Sequence, residues 1–134
     1  MANTTFSGPV RSENGFEQVT KNATTGAFTT NATYDAKIIG GVQSLSGAGA
    51  VDLTNLITEV TTTGANALTL ADGSTSGQIK IINMIVDGGD GTLTPTTFAN
   101  GTTITFDAVG ESATLVWNST VGWVATSTVG ATIA

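Results

Sequence analysis

Residues 79–86 are Ile-Lys-Ile-Ile-Asn-Met-Ile-Val, the longest apolar run of the chain, interrupted only by Lys80 and Asn83. Clusters of Gly, Asp and Ser enclose this run, at residues 72–77 before it and at residues 87–91 after it. A run rich in β-branched residues between such clusters is typical of a buried strand. We therefore predict that this segment is the central strand of a β-protein.

Further short apolar segments alternate with turn residues along the rest of the chain. Leu53, Leu56, Ile57 and Val60 fit helical spacing, but the many Thr residues around them disfavour a helix, and we prefer two short strands broken near Asn55. The other predicted strands are residues 34–42, 67–70, 91–94, 102–106, 113–117 and 123–127. Six to eight short strands predict an all-β fold, a small antiparallel β-sandwich, jelly-roll-like or barrel body.

The first 33 residues carry few apolar side chains, widely spaced and separated by turn signals. They are interpreted either as a flexible tail or as an extended arm whose Phe and Val side chains dock on another protein. Residues 44–50 are small and resemble a linker. We predict two regions, an extended N-terminal arm and linker over residues 1–48 and a β-rich body over residues 49–134.

The charge pattern excludes several classes of partner. The chain of 134 residues has a net charge of −6, with four basic residues and ten acidic ones. Nucleic-acid binding needs clustered Lys and Arg, and no cluster exists, so no nucleic-acid partner is expected. No apolar stretch approaches the length of a membrane helix, and no signal peptide precedes the body, so no membrane partner is expected either.

The chain contains no Cys and no His, which excludes a disulfide, a thiol nucleophile and a His/Cys metal site. Residues 87–91, Asp-Gly-Gly-Asp-Gly, could offer oxygen ligands to Ca²⁺, although turn chemistry alone explains them. Glu59 lies in a predicted strand, opposite its apolar side chains, and no pair stands out among the carboxylates at predicted loops, which are Asp72, Asp87, Asp90, Asp107 and Glu111. We predict no enzymatic activity, no cofactor and no metal.

Trp117 and Trp123 are predicted to face each other across the last hairpin. Such a pair serves either as packing or as an exposed platform for a sugar, and packing is the preferred interpretation. The residues predicted to pack in the core or between subunits are Ile79, Ile81, Ile82, Ile85, Ile104, Phe106, Trp117 and Trp123.

Five segments together resemble a family of phage virion proteins. They are residues 3–16, 57–73, 77–80, 87–95 and 101–106. In these segments the chain resembles capsid decoration (cement) and head-associated structural proteins of tailed bacteriophages, in particular cyanophage-like podoviruses.

The resemblance implies a virion structural protein on the outer capsid surface, bound to the major capsid protein and often a homotrimer. It implies a cement protein or a head knob, without catalytic residues. The arm residues expected to contact the capsid are Phe6, Pro9, Val10, Arg11 and Phe16. The alternative is a glycan- or receptor-binding module of a phage head or tail fibre.

Overall fold

The computed structural model describes residues 16–34 and 40–134, and within these ranges every regular element is a strand. The chain divides into two compact units, Met1–Gly40 and Gly41–Ala134. In the first unit, β1 (Phe16–Lys21) pairs antiparallel with β2 (Phe28–Tyr34). The Asn22 side chain accepts hydrogen bonds from the backbone N–H groups of Thr24 and Thr25, which fixes the turn between the strands.

Residues 16–34 are therefore a β-hairpin, and the prediction of one extended arm is wrong for this segment. The apolar residues are sparse, but Thr and Val suit a strand, and Asn22 supplies the turn. The part of the predicted arm that precedes residue 16 lies outside the described residues.

The second unit consists of two five-stranded sheets packed face to face, which confirms the all-β prediction. β7 lies between two neighbours at the centre of its sheet, as the apolar run indicated. The first sheet has the order β11-β10-β7-β5-β3, built from β3 (Val42–Ser46), β5 (Ile57–Thr61), β7 (Ile79–Val86), β10 (Ser112–Asn118) and β11 (Gly122–Val129). The second has the order β12-β9-β8-β6-β4, built from β4 (Gly49–Val51), β6 (Asn66–Leu70), β8 (Gly91–Pro95), β9 (Ile104–Phe106) and β12 (Thr132–Ile133).

Both sheets are mixed, so the prediction of an antiparallel body is wrong. From β3 to β8 the chain alternates between the two sheets, and each return to a sheet runs in the same direction as the strand before it. The pairs β3–β5, β5–β7, β4–β6 and β6–β8 are consequently parallel. The later pairs β8–β9, β9–β12, β7–β10 and β10–β11 are antiparallel.

The predicted linker over residues 44–50 is also incorporated into the sandwich. Val42–Ser46 and Gly49–Val51 are strands of opposite sheets, joined by a turn of two residues. The next loop covers residues 52–56, before β5 begins at Ile57. The predicted break near Asn55 thus lies in a loop and the second predicted strand is β5, whereas only Val51 of the first predicted strand lies in a strand. The helical alternative for this region is wrong.

The core lies between the two sheets and follows the alternation of each strand. In β7, Lys80, Ile82 and Met84 point inward, whereas Ile79, Ile81 and Asn83 point to the outer face. Each fully buried aliphatic side chain contributes roughly 1.5–3 kcal/mol. The buried apolar residues are Val51, Val60, Leu68, Leu70, Ile82, Met84, Leu93, Ile104, Phe106, Ala113, Leu115, Trp117, Trp123 and Ala131.

Candidate functional site

The two Trp residues form a buried pair at one end of the sandwich. Trp117 lies directly opposite Trp123 across β10 and β11, and the ring centroids are 5.5 Å apart at an interplanar angle of 60°. Trp123 is completely buried, and its Nε1 donates a hydrogen bond of 2.9 Å to the Ala71 carbonyl oxygen. Trp117 is 8% exposed. The pair therefore packs the core and offers no exposed platform on which a sugar ring could stack.

The other predicted packing residues divide between the core and the outer surface. Ile82, Ile104 and Phe106 are fully buried between the sheets. Ile79 and Ile85 lie on the outer face of β7, where nearly half of each side chain is exposed, and Ile81 is partly exposed on the same face. An outward isoleucine cannot contribute to the core of its own sandwich, so these three residues require a separate explanation.

The loop at residues 87–91 is a close-packed turn between β7 and β8. Asp87 Oδ1 accepts a hydrogen bond of 2.9 Å from the Gly89 N–H, and the Gly88 N–H donates to Thr62 Oγ1 at 2.9 Å. A Cβ at Gly88 would lie 2.5 Å from the Thr62 carbonyl oxygen. The glycines allow this turn to stack directly on the preceding one, which is a structural reason for the Asp-Gly sequence. Within residues 16–34 and 40–134, no three acidic residues lie close enough together to hold a metal ion.

Lys80 is the centre of a buried polar cluster that the sequence did not indicate. Its side chain points into the sandwich with 1% exposure, and Nζ donates a hydrogen bond of 2.7 Å to the Asn55 carbonyl oxygen. Asp52 Oδ1 lies 3.5 Å from the same Nζ. The Asn55 side chain and backbone N–H both donate to the Asp52 carboxylate, at 2.6 and 2.8 Å. The cluster ties the loop 52–56 to the central strand.

Gln43 extends the same cluster to the edge of the first sheet. Its Oε1 accepts hydrogen bonds of 2.9 Å from the Thr58 hydroxyl and from the Asp52 N–H. Its Nε2 donates to the Ala50 carbonyl oxygen at 2.9 Å. These bonds satisfy polar groups that burial would otherwise penalise, which is the arrangement of a structural network.

The pKa values of the ion pair are both lowered, for different reasons. Burial disfavours the ammonium and lowers the pKa of Lys80, and the negative charge of Asp52 opposes this only in part. Burial alone would raise the pKa of Asp52, but hydrogen bonds from Asn55 and Thr54 and the charge of Lys80 outweigh it and lower that pKa. The carboxylate is therefore held ionised in the folded chain.

Of the five predicted capsid-contacting residues, only Phe16 falls within the described residues, where it begins β1. Phe6, Pro9, Val10 and Arg11 lie outside them. The hairpin presents a residue not included in that set: Phe28, which is 66% exposed at the start of β2. Lys21 lies opposite it, with Nζ 5.7 Å from the ring centroid. The sequence feature that could have identified Phe28 as a contact residue is that three of the five Phe residues, Phe28 among them, lie in the N-terminal region.

No protein-family model matches the chain, and no curated protein matches it significantly. Across the described part of the chain, no helix is long and apolar enough to cross a membrane.

Proposed function

We propose that this chain is a virion structural protein that binds the outer surface of a tailed-phage capsid. It acts as a decoration or cement protein, or as a head knob, without catalysis. Its partners are the major capsid protein and further copies of itself, as a homotrimer according to the sequence resemblance. The proposal rests on that resemblance together with the presence of two separate compact units.

The observation that carries the proposal is the exposed aromatic side chain of the N-terminal unit. Phe28 is the most exposed large apolar residue among those described, and the cationic Lys21 lies beside its ring. An isolated two-stranded hairpin is marginally stable in water, and a partner surface would stabilise it. Aromatic residues that insert into a partner dominate the energy of many interfaces. We therefore expect Phe28 to contact the capsid.

A pair of matched substitutions tests this role. Phe28→Ala and Val109→Ala each remove an exposed apolar side chain, of 66% and 63% exposure, from the first and second unit. In co-sedimentation with undecorated capsids of the phage that carries this chain, Phe28→Ala is expected to weaken binding at least tenfold, as for a contact worth about 1.4 kcal/mol or more. Val109→Ala is expected to bind like the unaltered chain. Equal binding by all three proteins would refute the contact.

A shortened chain that begins at Gly41 tests the division of labour between the units. The second unit has its own core, so the shortened chain is expected to fold, with the near-ultraviolet circular dichroism of its buried Trp pair retained. It is expected to lose capsid binding, because the proposed contact residues lie in the first unit. Capsid binding equal to that of the full chain would contradict the proposal.

The glycan-binding alternative has less support than it had from the sequence. It relied on Trp117 or Trp123 as a stacking surface, and both rings lie within the sandwich.

A further inference from the structure

The two outer faces of the sandwich differ in chemistry. On the second sheet, the outward positions are small or hydroxyl-bearing: Ala50, Ala67, Thr69, Thr92, Thr94, Thr105 and Thr132. On the first sheet, β-branched apolar residues point outward on every strand, and six of them on directly paired or neighbouring positions form what we call the apolar stripe: Val42, Ile57, Ile79, Ile81, Val116 and Val124.

Strand register makes the apolar stripe continuous. Ile57 pairs with Val42 on one side and with Ile81 on the other. Val116 likewise pairs with both Ile79 and Val124. Paired residues on neighbouring strands lie about 5 Å apart, and Ile79 and Ile81 connect the two rows because they share one face of β7. The stripe therefore crosses all five strands of the sheet.

The stripe is accessible in the single chain. Val42 is 48% exposed and Ile79 is 46% exposed, and the other four members are partly exposed. Scattered exposed apolar residues are ordinary, whereas a contiguous exposed patch marks an interaction surface. The threonine-rich opposite face shows that this β-fold does not itself require apolar outward residues.

The charges of the second unit point to the occupant. Seven carboxylates belong to this unit, and its one basic residue, Lys80, is buried. Glu59 is the only one of these seven carboxylates on a strand, and it lies one row beside the stripe. The other six lie in loops outside the strands: Asp52, Asp72, Asp87, Asp90, Asp107 and Glu111. The stripe itself therefore carries no charge, so two copies that meet through it bury no loop carboxylate in the contact.

We propose that the apolar stripe is covered by a second copy of this chain. Outward faces of β-branched residues pack on one another as the inner faces of a sandwich do, at about 10 Å between sheets. The inference rests on the self-association within the proposed function and names a surface for it, which joins copies in pairs in place of the trimer that the resemblance implies, because a face that packs on its own copy has two-fold symmetry.

The size of the face sets the expected strength. Five strands at about 4.8 Å and five residues at about 3.3 Å give roughly 400 Å² per copy, or roughly 800 Å² for a pair. Stable complexes bury about 1,200–2,000 Å². Free copies are therefore expected to associate weakly and reversibly. Copies held side by side on a capsid would associate more completely, because attachment raises their effective concentration.

Sedimentation equilibrium of the full chain without capsids tests the proposal, because it measures the mass of the associated species. Concentrations up to about 1 mM are needed, since a contact of about −4 kcal/mol has a Kd of about 1 mM. The stripe variant is Val42→Lys/Ile79→Lys, and the control is Thr69→Lys/Thr94→Lys. The control replaces two exposed, directly paired residues on the opposite face and makes the same charge change. We expect the mass of the unaltered chain and of the control to rise with concentration, and that of the stripe variant to stay at one copy.

Folding of each variant is checked by near-ultraviolet circular dichroism of the buried Trp pair. If the double-lysine stripe variant does not fold, Val42→Thr/Ile79→Thr replaces it, since Thr retains a β-branched side chain and loses apolar surface. Unchanged association in a folded stripe variant would overturn the proposal. So would a full chain that remains a single copy at every concentration.

Capsid binding separates this proposal from the proposed function. If the chain stays a single copy and the stripe variant loses capsid binding, a capsid subunit occupies the stripe and the second copy does not. If Phe28→Ala binds capsids normally while the stripe variant fails to associate, the capsid contact at Phe28 fails and the self-association surface stands.

Discussion

At the scale of single residues, Lys80 shows how a charge becomes part of a core. In the sequence it interrupts the longest apolar run, and an outward position on the central strand would be the simple interpretation. In the structure it is the outward neighbours, Ile79 and Ile81, that are accessible, and Lys80 is buried. The inward position is stable because Nζ reaches the Asn55 carbonyl oxygen and the Asp52 carboxylate at the end of the sandwich.

The ion pair predicts how stability depends on pH. The pKa of Asp52 is lower in the folded chain than in the unfolded one. Its contribution to the free energy of unfolding is therefore complete at a pH above the ordinary pKa of an aspartate, and it is lost as the pH falls through the lowered pKa. We expect urea unfolding midpoints to drop less between pH 7 and pH 3 for Asp52→Asn than for the unaltered chain. The comparison cancels the effect of the other carboxylates. An identical drop in both proteins would mean that Asp52 is not linked to folding.

Trp123 supplies a second prediction at this scale. Trp123→Phe removes part of a fully buried ring and leaves the Ala71 carbonyl oxygen without its donor. The free energy of unfolding is expected to fall by roughly 2–4 kcal/mol. Val121→Ala, at an exposed position two residues away, is the control and is expected to change it by at most about 0.5 kcal/mol. Denaturant unfolding at neutral pH measures both, and equal stabilities would contradict the buried role of the ring.

At the scale of elements, the turns at one end of the sandwich stack on each other. The Gly47 N–H donates to the Thr61 carbonyl oxygen, and the Thr62 N–H donates to that of Val86. The Asn66 N–H then donates to the Asp90 carbonyl oxygen. The turns stack because the chain returns to each sheet in the same direction every time, so that successive turns lie next to each other. It also explains why the most conspicuous Asp-Gly cluster of the sequence is a turn.

The stacking predicts a difference between two glycines. A Cβ at Gly88 would lie 2.5 Å from a backbone oxygen, whereas a Cβ at Gly64 would have no neighbour within 4 Å. We expect Gly88→Ala to lower the free energy of unfolding by roughly 1–3 kcal/mol, as overpacking does. Gly64→Ala is expected to have little effect or a small stabilising one. Thermal unfolding of the two variants checks this, and equal melting temperatures would contradict the close approach.

The positions of the body strands from β5 to β11 could be predicted from local sequence, because alternation and turn residues are local signals. Residues 67–70 and 113–117 fall within β6 and β10. Strand direction could not be predicted, because it depends on partners distant in sequence, as when Ile57 pairs with Ile81. The small residues at 44–50 misled for a related reason. Their size suits a tight turn as well as a linker, and only pairing with later strands distinguishes the two.

For the candidate surfaces too, features set by local sequence could be predicted, and features that depend on the wider fold could not. Trp117 and Trp123 were predictable as a pair because one hairpin places them opposite each other. The outward direction of Ile79 and Ile85 was not, because alternation alone does not say which side of a strand faces a second sheet. Phe28 was not selected because its exposure depends on the hairpin formed by residues 16–34.

At the scale of the whole molecule, the chain combines two units of different character. The second has a continuous core between two sheets, and the first contains a hairpin with an exposed Phe. We propose that the first unit binds the capsid and that the stripe on the second binds another copy. Such a division lets each copy contribute to both contacts at once, which increases the overall avidity of a decorated shell.

A density map of the intact virion that carries this chain tests the central proposal most directly. We expect density for two packed five-stranded sheets on the outer surface of the capsid, with the N-terminal unit against the major capsid protein. Density for the sandwich in the tail or inside the shell, or a complete shell without it, would contradict the proposal.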